Sequence, residues 1–281
     1  MKQAYLIIAH NNFNHLTTLV NTLDCRDVFF YIHIDAKVEV PRSIRELKCA
    51  NQIEILQKRR VRWGGQSQVR TELDLYGKAF ENPDIEWFHL ISGVDFPLKP
   101  ISELNTFFEL AEDVDCFMET EPLPRHLADR MRFYHFYVAR PTHRKSIFQR
   151  INSKFLSMQC RVGIKRRHPE GLPFMFGSNW VDMRRRAVEI LLQRHKDIIK
   201  YTNHTACSDE VYKQTFLQNC GLRIVSDNLR YIDWNAKQPS PKSLMIEDFD
   251  HIVASGKLFA RKFDSPESES LIQQILEYIS D

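Results

Sequence analysis

Glycine is scarce in this 281-residue chain, nine residues in all, and none falls in a pattern that cradles phosphate on backbone amides. The first strand-like run continues as Ala9-His10-Asn11-Asn12-Phe13-Asn14 instead of GxGxxG, and no GxxxxGK[ST] occurs. Dinucleotide-binding and P-loop enzymes are thereby set aside. GxSxG and HExxH are missing too, which removes the hydrolase elbow and the helical zinc-protease site. The six cysteines (25, 49, 116, 160, 207, 220) form no CxxC and no metal-ligand spacing, so they read as reduced thiols. No apolar run approaches the roughly 20 residues that cross a bilayer. The apolar start breaks at Asn11 and Asn12, too soon for a signal peptide, and the expected location is cytoplasmic. Acidic residues are absent over one long stretch: Arg130 to His168 holds eleven Arg or Lys and no Asp or Glu. The remainder carries 28 basic against 36 acidic residues, so the net charge of +3 conceals a basic block in an acidic protein. Such a block is either a solvated surface or a contact for an anionic partner.

What is present is ordinary globular material, 43% apolar and 27% charged, enough for one large domain. Strand-like runs at Tyr5–Ala9, Phe29–Ile34, Ile53–Leu56, Trp87–Ile91 and Cys116–Glu119 alternate with helical spacing at His15–Leu23, Ser67–Phe80 and Ile101–Leu110. Ser67 is the expected cap of its helix. Further helices are expected at Met183–His195, Ser208–Asn219 and Leu271–Ile279, and a short strand at Leu229–Asp233. This order predicts an α/β fold with a mostly parallel central sheet flanked by helices. Residues 1–281 read as a single domain carrying a basic, aromatic helical or loop insertion at about 122–173. Ligands of such sheets collect beyond the strand carboxyl ends. There lie His10-Asn11-Asn12, Asp35-Ala36-Lys37, Ser92-Gly93-Val94-Asp95 and Glu119-Thr120-Glu121.

Two Asp-x-Asp spacings, Asp113-Val114-Asp115 and Asp248-Phe249-Asp250, are the candidates for a diphosphate-bound divalent ion; the first sits where a polar turn is expected, the second in an amphipathic segment, Leu244–Val253, whose acids are expected to face water. Six segments carry a more specific pattern: Tyr31–Lys37, Trp63-Gly64-Gly65 with Ser67, Trp87–Lys99, Gly177-Ser178-Asn179-Trp180, Ser208-Asp209-Glu210 and Leu258–Asp264. In that order they resemble the core-2/I-branching N-acetylglucosaminyltransferases and peptide O-xylosyltransferases, glycosyltransferase family 14, and the match runs almost end to end. The resemblance implies a GT-A-like fold, inversion at the anomeric carbon and catalysis without a metal. It implies no cofactor beyond a UDP-sugar co-substrate, with GlcNAc the expected sugar and xylose the alternative.

The resemblance also assigns residues. Glu210 matches the base that takes the acceptor hydroxyl's proton, whereas by its position alone it is equally a carboxylate favoured at a helix start. Lys262 matches the lysine on the departing nucleoside diphosphate. The family's second cation falls at Pro239-Ser240-Pro241-Lys242, where Lys242 is the substitute. His33, Asp35 and Glu72 fall near the expected uridine pocket, Glu72 replacing an Asp. Glu119, Arg130 and Trp234 match acceptor-holding residues, while Leu127 stands where a third cation is found. Trp234 and Trp63 read equally as core residues, and Asp95 as the anchor of its own turn. Expected partners are a UDP-sugar, a glycan or lipid-linked glycan and, through the basic block, the anionic inner face of a bacterial cell membrane. Two rival readings are a non-catalytic nucleotide- or sugar-binding relative, and a nucleic-acid binder using the basic block's aromatics. No nucleic-acid motif accompanies the latter.

Overall fold

The computed structural model describes residues 1–138, 146–167, 172–234 and 240–280. In chain order the elements begin β1 (Lys2–Ala9), α1 (Phe13–Leu23), β2 (Val28–Ile34), α2 (Arg42–Arg45), β3 (Gln52–Leu56) and α3 (Gln66–Phe80). They continue β4 (Ile85–Ser92), β5 (Asp95–Pro97), α4 (Ile101–Leu110), β6 (Cys116–Phe117), β7 (Glu121–Pro122), α5 (Asp129–Arg132) and α6 (Ile147–Val162). Next come β8 (Met175–Phe176), β9 (Asp182–Arg184), α7 (Arg185–Gln193), α8 (His195–Thr202), α9 (Tyr212–Leu217) and β10 (Ile224–Val225). The last are β11 (Arg230–Ile232), α10 (Phe249–Ala254), β12 (Phe259–Arg261) and α11 (Glu269–Ser280). The chain divides into two compact units, one of residues 1–58, 82–113 and 228–281, the other of residues 59–81 and 114–227.

The first unit is built on the strands the alternation predicts. β4, β1, β2 and β3 lie side by side in that order, every pair parallel. β2 is buried along its whole length, as a strand covered on both faces must be, which is why Val28–Ile34 is a continuous apolar run. Tyr5, Phe30, Trp87, Phe88 and Phe108 fill this core with no solvent exposure. A small second sheet, β11-β12-β5, pairs β12 parallel to β11 and antiparallel to β5. Because Ala9 pairs with Ile34 and Ile8 with Ser92, the segments after β1, β2 and β4 emerge on one rim, as expected for three of the four polar clusters.

In the second unit α3, α7, α8 and α9 pack together, beside the short ladders β10-β6-β9 and β7-β8. Here the sequence pattern misleads in two places. Met183 opens no helix: Asp182–Arg184 pairs antiparallel with β6, and the helix starts at Arg185. Nor is Ser208–Asn219 one helix. Ser208–Glu210 is a 3₁₀ turn, Val211 leaves helical geometry (φ −129°, ψ −40°), and α9 begins at Tyr212. Ser67 does not cap α3. Gly65 holds the cap position, while the Ser67 hydroxyl accepts from the Arg62 amide at 2.7 Å.

Candidate active site

In the second unit, three of the matched motifs converge on the 3₁₀ turn that carries Glu210. Gly64, with φ +64°, brings its carbonyl within 2.7 Å of the Cys207 amide, and a Cβ on Gly64 would stand 3.0 Å from the Cys207 sulfur. The left-handed φ and the close approach together explain Trp63-Gly64-Gly65. Cys207 is itself left-handed (φ 50°), and this turns the chain into Ser208-Asp209-Glu210. On another side the Gly177 amide donates to the Glu210 carbonyl at 3.0 Å. A Cβ there would lie 1.9 Å from the Glu119 carbonyl oxygen, so only glycine lets these backbones meet.

The Glu210 carboxylate is half-buried, and Arg130 Nη1 donates to its Oε2 at 2.9 Å. Burial pushes the Glu210 pKa above the usual carboxylate range, while the Arg130 charge and hydrogen bond pull against it. Its neighbour Asp209, fully enclosed and facing the Glu210 and Glu72 charges, is pushed up to about 8. Asp209 Oδ2 accepts from the Gln68 amide at 2.9 Å.

Beneath the turn lies an ion pair without any solvent exposure, Lys213 to Glu72 at 2.7 Å. The ammonium's three donors are all used: on Glu72, on Asn179 Oδ1 at 2.6 Å and on the Asp209 carbonyl at 3.1 Å. Tyr212 adds a hydroxyl donor to Glu72 at 2.9 Å. Glu72, expected beside a nucleoside, is therefore an interior group that braces the turn. Asn179 of Gly177-Ser178-Asn179-Trp180 has the same task. The sequence reading missed Lys213, although a lysine three residues after Glu210 in an apolar helix was the available signal.

Glu119 is exposed on the strand-side segment that touches Gly177. Trp63 is 40% exposed, so it is not a core residue. A cleft of about 310 Å³ opens beside it, lined by Arg60, Arg62, Gln66, Ser67, His135 and His204.

In the first unit, Lys262 follows β12 on a firmly tied loop. Its carbonyl accepts from Leu244 N at 2.9 Å, and the Phe263 amide donates to Val94 O at 2.9 Å. The Phe263 ring packs against both His15 (5.8 Å) and Phe96 (5.9 Å). The Lys262 ammonium sits 2.8 Å from Asp264 Oδ2, which also accepts from the Ser243 hydroxyl. Lys242, the substitute second cation, is held by Asp248 at 2.6 Å and lies 3.9 Å from Asp233. This pairing draws the Asp248 pKa down, through the Lys242 hydrogen bond and charge, against the opposing effect of burial. One acid of each Asp-x-Asp is thus engaged, since Asp115 Oδ2 accepts from the Arg223 amide at 2.8 Å.

Asp35 follows β2 with its carboxylate turned onto its own loop, accepting from the Lys37 amide at 2.9 Å and pairing with the Lys37 ammonium at 3.1 Å. His33 is buried within β2. Asp95 Oδ2 accepts from the Ser92 amide at 2.9 Å and its other oxygen faces Arg261 at 3.4 Å, so it does anchor its turn. Trp234, just past β11, is 60% exposed and not a core residue. Pro239 and residues 139–145 and 168 of the basic block lie outside the described residues.

The profile of the Core-2/I-Branching enzyme family matches residues 3–253. Xylosyltransferase 1 of Mus musculus is 25% identical over 307 residues, covering 99% of this chain and 30% of its own length. N-acetyllactosaminide beta-1,6-N-acetylglucosaminyl-transferase of Mus musculus is 24% identical over 288 residues, covering 93% of this chain and 68% of that protein. The chain thus spans about a third of the xylosyltransferases it matches. A crystal structure of 4-diphosphocytidyl-2C-methyl-D-erythritol synthase covers 98% of this chain and 99% of its own, at 9% identity and a TM-score of 0.43, too low to argue from.

Proposed function

Because this chain belongs to the Core-2/I-Branching enzyme family, we propose that it is an inverting, metal-independent glycosyltransferase whose catalytic domain is residues 1–281. It moves a sugar from a UDP-sugar to a hydroxyl of a glycan or lipid-linked glycan, in the cytoplasm. The acceptor oxygen forms its bond to the anomeric carbon as the bond to UDP breaks on the opposite face. The hydroxyl proton passes to Glu210, and the electron pair of the broken bond leaves on the diphosphate.

The observation that carries this reading is the state of Glu210. Its carboxylate is half-buried, raised in pKa by burial, and held by Arg130 at 2.9 Å. A base is most effective when its pKa approaches the working pH yet it remains ionised. Burial moves the Glu210 pKa upward, and the Arg130 charge and hydrogen bond pull against that shift. On the donor side, charge on the leaving diphosphate calls for preorganised cations. Lys262 is fixed by its loop for that role, with Lys242 beside Asp248 the second candidate. Asp35 is assigned to the nucleoside and Glu119, Arg130 and Trp234 to the acceptor, whereas His33, buried within β2, is not open to a ligand. Glu72 acts by positioning, through Lys213.

UDP-GlcNAc is the proposed donor, supported by the similarity over 93% of the chain to N-acetyllactosaminide beta-1,6-N-acetylglucosaminyl-transferase. UDP-xylose is the second reading, favoured by the end-to-end match to xylosyltransferase 1. The test is Glu210→Gln. Transfer should fall about 100-fold or more, while UDP binding measured by calorimetry stays unchanged. Transfer at the parent rate in the variant would remove the base assignment.

A further inference from the structure

Among the described residues, helix α6 makes its anchoring contacts on one side. It opens with a capping box, in which Ser146 Oγ accepts from the Gln149 amide and Gln149 Oε1 from the Ser146 amide, and it stops at the left-handed Gly163. Gln159 is fully buried and clasps both backbone groups of Tyr134 at 2.9 Å. Asn152 Oδ1 accepts from the Phe136 amide at 3.2 Å, and the Phe155 ring meets Phe136 at 4.9 Å. At 100° per residue, these anchors share one face.

Next to this anchoring face runs an exposed apolar stripe. Ile147, Ile151, Met158 and Val162 are 68%, 58%, 48% and 62% exposed, and Ile164 beyond the helix is 46% exposed. Single exposed apolar residues need no explanation, but four aligned along one stripe do. Directly beside that stripe, at the same helical spacing, run the exposed Arg150, Lys154 and Arg161. Lys165 and Arg167 follow, and no acidic residue occurs anywhere from 130 to 168.

An apolar stripe bordered by cations, on a segment whose sequence holds no acid, matches a lipid surface with negative headgroups, and that lack of acids disfavours a basic protein partner. At about 24 Å the helix is also too short to cross a bilayer. We propose that α6 is an interfacial helix that docks the protein on an anionic membrane. It lies in the membrane plane with Ile147, Ile151, Met158 and Val162 below the headgroups. Arg150, Lys154 and Arg161 lay their stems along the boundary and reach the phosphates. This surface goes beyond the transfer reaction and stands whether or not that reaction is confirmed, because vesicle binding and UDP release are read separately.

The experiment is flotation of the whole protein with phosphatidylcholine vesicles, with and without phosphatidylserine. The protein should float only with the anionic vesicles. Arg150→Gln, Lys154→Gln and Arg161→Gln together should lower partitioning on the order of 100-fold. Ile151→Ser with Val162→Ser should also lower it, although every charge remains, with circular dichroism confirming that these surface changes leave the fold intact. Absence of vesicle binding, equal binding to neutral vesicles, or binding indifferent to both sets of substitutions overturns the proposal.

Discussion

The Arg130–Glu210 pair decides how the proposed base responds to pH. Transfer requires the carboxylate, so the rate falls as pH drops through the Glu210 pKa. Burial has moved that pKa up, and Arg130 is the strongest influence moving it down. Arg130→Met should therefore shift the acid limb of kcat/KM to higher pH, and a limb unmoved by the substitution would show that Arg130 does not tune the base. Glu210 and Lys262 were legible as residues because each sits in a specific local string, Ser208-Asp209-Glu210 and Leu258–Asp264. The partner of Glu210 was not. Arg130 lies 80 positions from Glu210, and its contact is created by folding, which no spacing rule records. Glu72 shows the opposite error: a matched position placed it at a ligand, whereas the structure encloses it entirely with Lys213.

At the scale of elements, the turn bearing Glu210 is stabilised from below. Lys213→Met would leave the Glu72 carboxylate buried without its cation, a change that costs about 3–5 kcal/mol in comparable buried pairs. Denaturant unfolding should show that loss, and pairing the change with Glu72→Gln should recover much of it. A Lys213→Met protein as stable as the parent would mean the ion pair does not brace the turn. The long elements were readable because periodicity over many residues speaks clearly: α4 appears at Ile101–Leu110 as expected, and β1 and β2 within a few residues. Short elements were read unevenly: β3 and β11 appear where expected, others do not. Asp182–Arg184 has helical neighbours and becomes a strand only by pairing with β6, a tertiary preference that overrides local pattern. The Ser208–Asn219 run fails as one helix because its start is bent to bring Cys207 to Gly64 and Glu210 to Gly177.

For the whole molecule, the parallel order β4-β1-β2-β3 and the rim above it follow from alternating strands and helices. The two compact units do not, because each is assembled from separated stretches of chain that only long-range contacts bring together. Family membership rests on a match from residue 3 to 253, while donor and acceptor depend on chemistry at single side chains. In the proposed mechanism Lys262 and Lys242 supply positive charge to the departing diphosphate, and in the fold one carboxylate of each Asp-x-Asp is already engaged. The most direct measurement is UDP release by the purified protein across a panel of UDP-sugars, with and without EDTA. The account predicts release from UDP-GlcNAc or UDP-xylose at the same rate in both conditions. Release abolished by EDTA, or no release from any UDP-sugar, would contradict it.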